Sequence, residues 1–331
     1  MEKILIIPIL VGFFITLFFI PLWITRARKI GLIWEDMNKP EKPKNVAGSG
    51  GLIVLLGFTL GVLCYVAIKT FVLKTDLVTV EIFALLLTVL ITGIIGFVDD
   101  ILGWIHGGLS ARFRLLLLFF VAIPLMVINA GSSTMIRIEF GLLYPLFLIP
   151  LGIIGASATF NLLAGYNGLE ASQGILILSG LAFVTWFTGN SWLSLICIVM
   201  VFCLIAFYIF NANPAKVFPG DVLTYPVGAL IAVVAILGNI EKIAVFFFIP
   251  YILEVGLKLR GKLKKQSFAK VNRDGTLEEP YDKIYGLEHL SIRILKKFKK
   301  VVYEKEVVLL INLFQIVIII SGIILLLFVF R

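Results

Sequence analysis

Cysteine, histidine and charge are all scarce in this chain. The three cysteines, Cys64, Cys197 and Cys203, each fall inside an apolar run, which excludes a disulfide framework and a zinc motif. Two histidines, His106 and His289, are too few and too far apart to build a metal centre. Charged residues make up only 15% of the 331, against 60% hydrophobic, a balance that soluble domains do not show. The first apolar run is expected to stay in the membrane and not to be cleaved as a leader. The run Ile4 to Ile24 is too long for a signal-peptide core, and Arg26, Arg28 and Lys29 follow it in place of small residues.

What the chain does have is long apolar runs. Ten come close to the roughly 20 residues that cross a bilayer: about 3–24, 48–68, 79–98, 113–130, 141–160, 174–188, 191–210, 222–239, 242–260 and 306–330. The expectation is a single all-α integral membrane domain, 1–331, with about ten transmembrane helices. Ten spans put alternate loops on one side, and 23 of the 29 Lys and Arg fall in the odd-numbered loops and their helix edges. The positive-inside rule then places those loops in the cytoplasm and both termini outside. The same asymmetry accounts for the net charge of +9 through the membrane surface, so no nucleic-acid partner is expected. Only 258–305, inserted between the last two spans, is a soluble segment of any size. Asp274-Gly275 signals a β-hairpin there. Leu287, Leu290, Ile294, Phe298 and Val301 then mark the apolar face of a basic helix suited to an anionic leaflet.

Polar residues cluster in the odd loops. Asp99 and Asp100 end the third run, where acids at a helix C-terminus cost roughly 0.3–1 kcal/mol each; they form either a solvated helix end or a site for a cation. Ser110 reads as an N-cap, and Arg112 and Arg114 as headgroup anchors or as partners for the aspartates or a phosphate. The first loop runs from prolines to Gly48, Gly50 and Gly51, which suits either a phosphate cradle or a flexible connector. The stretch 161–174 carries amides and glycines, one acid and no base, a composition for recognising a nucleobase or a sugar; its Tyr166 equally suits an interfacial anchor. Asp221, after Lys216, Phe218 and Gly220, also reads as the N-cap of the eighth span. Glu254 and Lys258 form an i,i+4 pair, and Asn312 and Gln315 suit hydrogen bonds between helices. Acids for Mg²⁺, bases for phosphate and amides for a nucleoside, all at one membrane boundary, point to phosphoryl transfer onto a lipid.

Four motifs carry a resemblance across nearly the whole chain: Gly96-Phe-Val-Asp-Asp100, Gly108-Leu-Ser-Ala-Arg112, Asn161-Leu-Leu-Ala-Gly-Tyr-Asn-Gly-Leu-Glu-Ala171 and Val217-Phe-Pro-Gly-Asp221. With them the sequence resembles the polyprenyl-phosphate N-acetylhexosamine-1-phosphate transferases. Ala164 to Leu169 is most similar to the eukaryotic and archaeal enzymes that use UDP-N-acetylglucosamine and dolichyl phosphate. The resemblance implies transfer of N-acetylhexosamine-1-phosphate from a UDP-sugar to a polyprenyl or dolichyl phosphate with release of UMP, an early membrane step of glycan assembly such as N-glycosylation. It also implies an archaeal cell membrane and a cytoplasmic active site. Asn161 and Asp221 would hold Mg²⁺, or Mn²⁺, with the diphosphate. Gly165 and Asn167 would meet the uracil, Phe218 would stack on it, and Glu170 belongs to the same substrate-binding motif. Arg114 matches the base that contacts the pyrophosphate, and Asp99 and Asp100 would orient the acceptor phosphate, take its proton or organise the cations.

Two departures accompany the resemblance. Gly103 stands where the family often has Asp or Asn, and the fifth loop lacks the His/Arg-rich and histidine-cluster motifs of relatives. Lys264, Lys265 and Lys270 occupy that region and are expected to face the diphosphate. Expected partners are the UDP-sugar, the lipid phosphate, the membrane and a second copy in a homodimer. The rival reading, a secondary transporter of a nucleotide sugar or another anionic solute, calls for ionisable residues near the bilayer midplane and repeated halves, neither of which the sequence displays.

Overall fold

The computed structural model describes residues 3–131, 134–135 and 138–329. Arg137 and Arg331, which the charge count assigns to the outer side, lie outside the described residues, as do the extreme termini. Among the described residues, six helical stretches are long and apolar enough to cross a membrane: Lys3–Ile30, Gly51–Val72, Thr79–Ile105, Leu169–Phe187, Ser191–Asn211 and Glu304–Phe328. Two shorter apolar ones, Tyr144–Phe160 and Asp221–Leu237, join them. Outward-facing side chains of the first and last helices, such as Phe18, Leu22, Leu309 and Val317, are themselves apolar and exposed.

The elements run α1 (Ile6–Ile30), β1 (Ile33–Glu35), β2 (Lys44–Ala47), α2 (Gly51–Ala67), α3 (Thr79–His106), α4 (Ala111–Val121), α5 (Ile123–Val127), β3 (Thr134–Met135), β4 (Ile138–Glu139) and α6 (Ile149–Phe160). There follow α7 (Leu169–Phe187), α8 (Ser191–Asn211), α9 (Asp221–Leu237), α10 (Glu241–Phe247), α11 (Ile249–Arg260), β5 (Lys270–Val271), β6 (Leu277–Glu278), α12 (Leu287–Phe298) and α13 (Glu304–Val329). In the packing, α7 lies on α8, α1 on α2 and α8, and α9 between α3 and α6, while α13 closes against α7. The buried polar groups of the spans find partners across these contacts. Asn312 bridges Ser172 and Gln173, Gln315 donates to the Phe247 carbonyl, and Lys258 lies 3.3 Å from Glu254.

Several expectations change. The runs 113–130 and 242–260 are not continuous spans; each is two short helices, broken ahead of Pro124 and Pro250. Proline offers no N–H and its ring crowds the carbonyl four residues back. Helix α3 does not stop at Val98 but continues to His106, so Asp99 and Asp100 lie inside it, about two turns before its end. The C-terminal dipole acts over the last turn only, and the penalty inferred from the sequence falls away. The first loop is not a flexible connector: β1 and β2 pair antiparallel, and Ala47 then pairs with Val217. The hairpin at Asp274-Gly275 forms as expected, with Lys270 opposite Glu278. Helix α12 forms too, but it does not simply ride the leaflet. Its first turns, between Leu287 and Ile292, pack against α11 and α13, Ile294 and Phe298 are exposed towards its end, and Val301 lies beyond the helix. Burial pushes the His289 imidazole down to about 4, with Lys258 adding to it, so that ring is neutral at pH 7.

Candidate active site

The site begins with a close approach of backbones. A Cβ on Gly96 of α3 would sit 2.3 Å from the Asp221 carbonyl oxygen at the start of α9, so only glycine lets the two helices meet there. One turn along, Asp100 accepts hydrogen bonds from the backbone N–H of Asp221 (2.7 Å) and of Val222 (3.4 Å). Asp100 therefore caps α9 from another helix, and Asp221, expected to be the N-cap, is the first helical residue instead. Between them Gly220 adopts φ +73°, and a Cβ there would collide with the Asp100 carboxylate at 2.1 Å.

Asp99 faces a different way. It is 3% exposed, lies 2.7 Å from Arg114 Nε, and accepts from the Leu109 N–H (2.8 Å) and the Tyr225 hydroxyl (3.2 Å). Arg114 is held at the start of α4, whose N-cap is Ser110 as expected, its side chain accepting from the Phe113 N–H.

A cavity of about 660 Å³ opens beside this pair of helices. Asp100, Asp221, Asn161, Gly165, Glu170 and Phe218 line it, together with Ser49, Thr224, Trp34 and Trp104. Of the sequence-predicted site residues, Asp99, Arg114, Asn167 and Lys265 are not among its lining. Asn167 is buried beside the cavity wall, its side-chain amide donating to Asp36 (3.0 Å). Lys265 stands over the rings of Tyr281 and Tyr285, 4.7 and 5.8 Å from their centroids, and Lys270 pairs with Glu278. The fifth loop does reach the cavity, through Gln266 and Phe268. The segment is held at the neighbouring residues: the Lys258 ammonium donates to the Ser267 hydroxyl, and the Ala269 N–H donates to the Asn38 side chain (3.2 Å).

The loop 161–168 is shaped by glycines and held by hydrogen bonds. Gly165 adopts φ +100°, donates its N–H to Glu170 (2.9 Å) and accepts at its carbonyl from Asn38 (2.9 Å). Asn161 ends α6 and accepts from the Thr224 hydroxyl (2.9 Å). The Phe218 segment is fixed by the hairpin, its N–H donating to Ala47 and its carbonyl accepting from Gly50.

The cavity wall carries four carboxylates, Glu35, Asp100, Glu170 and Asp221, against one lysine, Lys44. Such a surface repels an anion unless a cation comes with it. Among the described residues no cluster of three or more His, Cys, Asp or Glu could hold a metal unaided. Hard oxygens from Asp100, Asp221 and Asn161 do fit Mg²⁺, which takes one or two carboxylates and completes its shell with substrate phosphate. A second cavity of about 380 Å³, almost wholly apolar, lies between α6, α9, α10 and α11; Thr159, half a turn before Asn161, is at one end, and the Tyr144–Glu241 hydrogen bond is at the other.

Sequence reasoning missed Tyr225, although it stands one turn after Asp221 on the same helix face. It also missed Gln266 and Phe268, and the buried acids Asp36 and Glu304, for which no sequence pattern gave a signal.

Residues 82–239 match the family model described as glycosyl transferase family 4. Over 314 residues, 92% of each chain, the sequence is 34% identical to a Saccharolobus solfataricus protein named as a candidate UDP-N-acetylglucosamine–dolichyl-phosphate N-acetylglucosaminephosphotransferase. A Sulfolobus acidocaldarius protein of the same name is 30% identical over 89% of each chain. A phospho-N-acetylmuramoyl-pentapeptide-transferase from Geobacillus sp. is 28% identical over 77% of this chain and 81% of its own. With three of its four motifs lining one acid-lined cavity, and the other tied to the first through the Leu109 N–H and Asp99, the chain belongs to glycosyl transferase family 4.

Proposed function

We propose that this protein transfers N-acetylhexosamine-1-phosphate, with N-acetylglucosamine-1-phosphate as the first candidate, from a UDP-sugar to a polyprenyl or dolichyl phosphate. UMP leaves and a lipid diphosphate sugar forms. The observation that carries the reading is that an acid-lined cavity, lined by Asn161, and an apolar one, lined by Thr159, both reach the C-terminal end of α6. A reaction that joins a charged nucleotide sugar to a lipid needs both. In this reading Phe218 stacks on the base, the 164–170 loop encloses it, and the polyprenyl chain lies along the apolar cavity. Asp100, facing the cavity, orients the acceptor phosphate or takes its proton, while Asp99, Arg114 and Tyr225 hold α3, α4 and α9 in register.

Asp100, Asp221 and Asn161 would hold Mg²⁺ or Mn²⁺, which when bound neutralises the diphosphate and the leaving UMP. The protein residues supply positioning. The wider proposal has ten spans, the broken ones included, with the site on the cytoplasmic side and both termini outside.

The test is an assay of purified protein with labelled UDP-N-acetylglucosamine, other UDP-sugars and polyprenyl phosphate. Labelled lipid product with Mg²⁺, and none in EDTA, is the expected result. No product with any UDP-sugar, or full activity in EDTA, defeats the reading or its metal.

A further inference from the structure

We propose that Glu304, in the first turn of the last helix, is a positioning residue for the nucleotide-sugar pocket. The proposal rests on the reading above, that loop 164–170 encloses the nucleotide. Glu304 is 3% exposed and does not line the cavity. One carboxylate oxygen accepts the backbone N–H of Asn167 (2.8 Å), at the heart of that loop. The other accepts the Asn213 side-chain amide (3.0 Å) from the loop leading to Phe218, and pairs with the Lys39 ammonium from the first loop. One buried carboxylate thus joins three loops that are far apart in sequence.

Its neighbours complete the frame. Asp36, 5% exposed, takes the Asn167 side chain, and Asn38, 2% exposed, takes the Gly165 carbonyl. Asp36, Asn38, Lys39 and Glu304 all lie outside the stretch 82–239 that matches the family model, yet they converge on its central loop. The location suits the charge. A helix N-terminus favours an acid, and Lys39 balances it. Elsewhere in the loop, the Gly165 and Asn167 N–H groups and the Gly165 carbonyl are already engaged by protein, so the loop arrives at the ligand already shaped. Preorganisation of this kind strengthens ground-state and transition-state binding alike, and its loss appears in KM rather than in kcat.

The experiment uses the full-length protein in detergent, with Glu304→Gln, Glu304→Asp and Lys39→Met. Glutamine can accept from Asn167 but turns an N–H₂ towards Lys39 or Asn213. We expect Glu304→Gln to raise KM for UDP-N-acetylglucosamine about tenfold, with kcat and the acceptor KM changed less than about threefold. Glu304→Asp should recover part of the loss. Lys39→Met, which leaves Asn167 its acceptor, should show a smaller rise in the same constant and serves if the Gln variant does not fold. Calorimetric binding of UDP-N-acetylglucosamine provides a readout apart from turnover. Unchanged KM and affinity in Glu304→Gln and Lys39→Met, or equal losses for both substrates, overturn the inference. A wild-type protein that binds no UDP-sugar overturns instead the functional reading beneath it.

Discussion

On α3 successive residues point about 100° apart, so Asp99 turns to Arg114 and Tyr225 while Asp100 turns to α9 and the cavity. The two carboxylates thereby acquire different work. Asp99 has its oxygens committed to an arginine, a hydroxyl and a backbone N–H. Asp99 is buried but Arg114 is only partly so, so neutralising the aspartate strands a charge that water still reaches, at a cost below the about 3–5 kcal/mol of a fully buried pair. Asp99→Asn should therefore lower the melting temperature and the turnover together. Asp100→Asn keeps an oxygen for the Asp221 N–H but removes the charge from the cavity. It should cut turnover by roughly 10²–10⁴-fold, the usual scale for a lost acid–base or phosphate-orienting group, with the melting temperature nearly unchanged and UDP-sugar binding weakened only when Mg²⁺ is present. Steady-state rates, calorimetric binding and thermal melts on both variants make the check. Equal behaviour of the two would contradict the division.

At the scale of elements, the segment between α11 and β5 decides what the fifth loop does. Two of its lysines are engaged on the protein surface, Lys265 over two tyrosines and Lys270 against half-exposed Glu278, a pairing worth at most about 1 kcal/mol. Its contribution to the cavity is a neutral amide and a ring, Gln266 and Phe268, suited to the uncharged sugar and not to a diphosphate. Gln266→Ala and Phe268→Ala should each raise KM for the nucleotide sugar several-fold while leaving the affinity for UDP unchanged. Lys265→Ala and Lys270→Ala together should move neither. Michaelis constants in detergent, compared with UDP inhibition constants, distinguish these outcomes; an effect of the lysine pair on UDP affinity would restore them to the diphosphate.

For the whole molecule, the loops that meet at the cavity are those on one side of a ten-span reading, and the Tyr144–Glu241 end of the apolar cavity lies towards the other. Cysteines placed at exposed Lys42 and Asp274 should react with a membrane-impermeant maleimide only from the cytoplasm, and those at Asp76 and Lys242 only from outside. Labelling of position 42 and position 76 from the same side would break the topology.

Much of this was legible in the sequence because the relevant signals are local. Apolar run length decides that a segment enters a bilayer, since unpaired backbone groups have no place in hydrocarbon. The loops that carry Asn161, Gly165, Phe218 and Asp221 stood out by composition, and the family resemblance of their motifs singled out those residues. Ser110 as a cap and the Asp274-Gly275 hairpin are likewise settled within a few residues. Long-range contacts were not legible. No local pattern says that Asp100 caps α9, that Asn167 is buried against Asp36, or that Glu304 gathers three loops, because each bond depends on segments over 90 residues apart being brought together by packing. The sequence by itself determined a membrane-embedded helical chain with its polar motifs in alternate loops. Tertiary structure alone decided which of those polar groups face a ligand and which hold the others in place, since a side chain's partners are chosen by the folded surface around it.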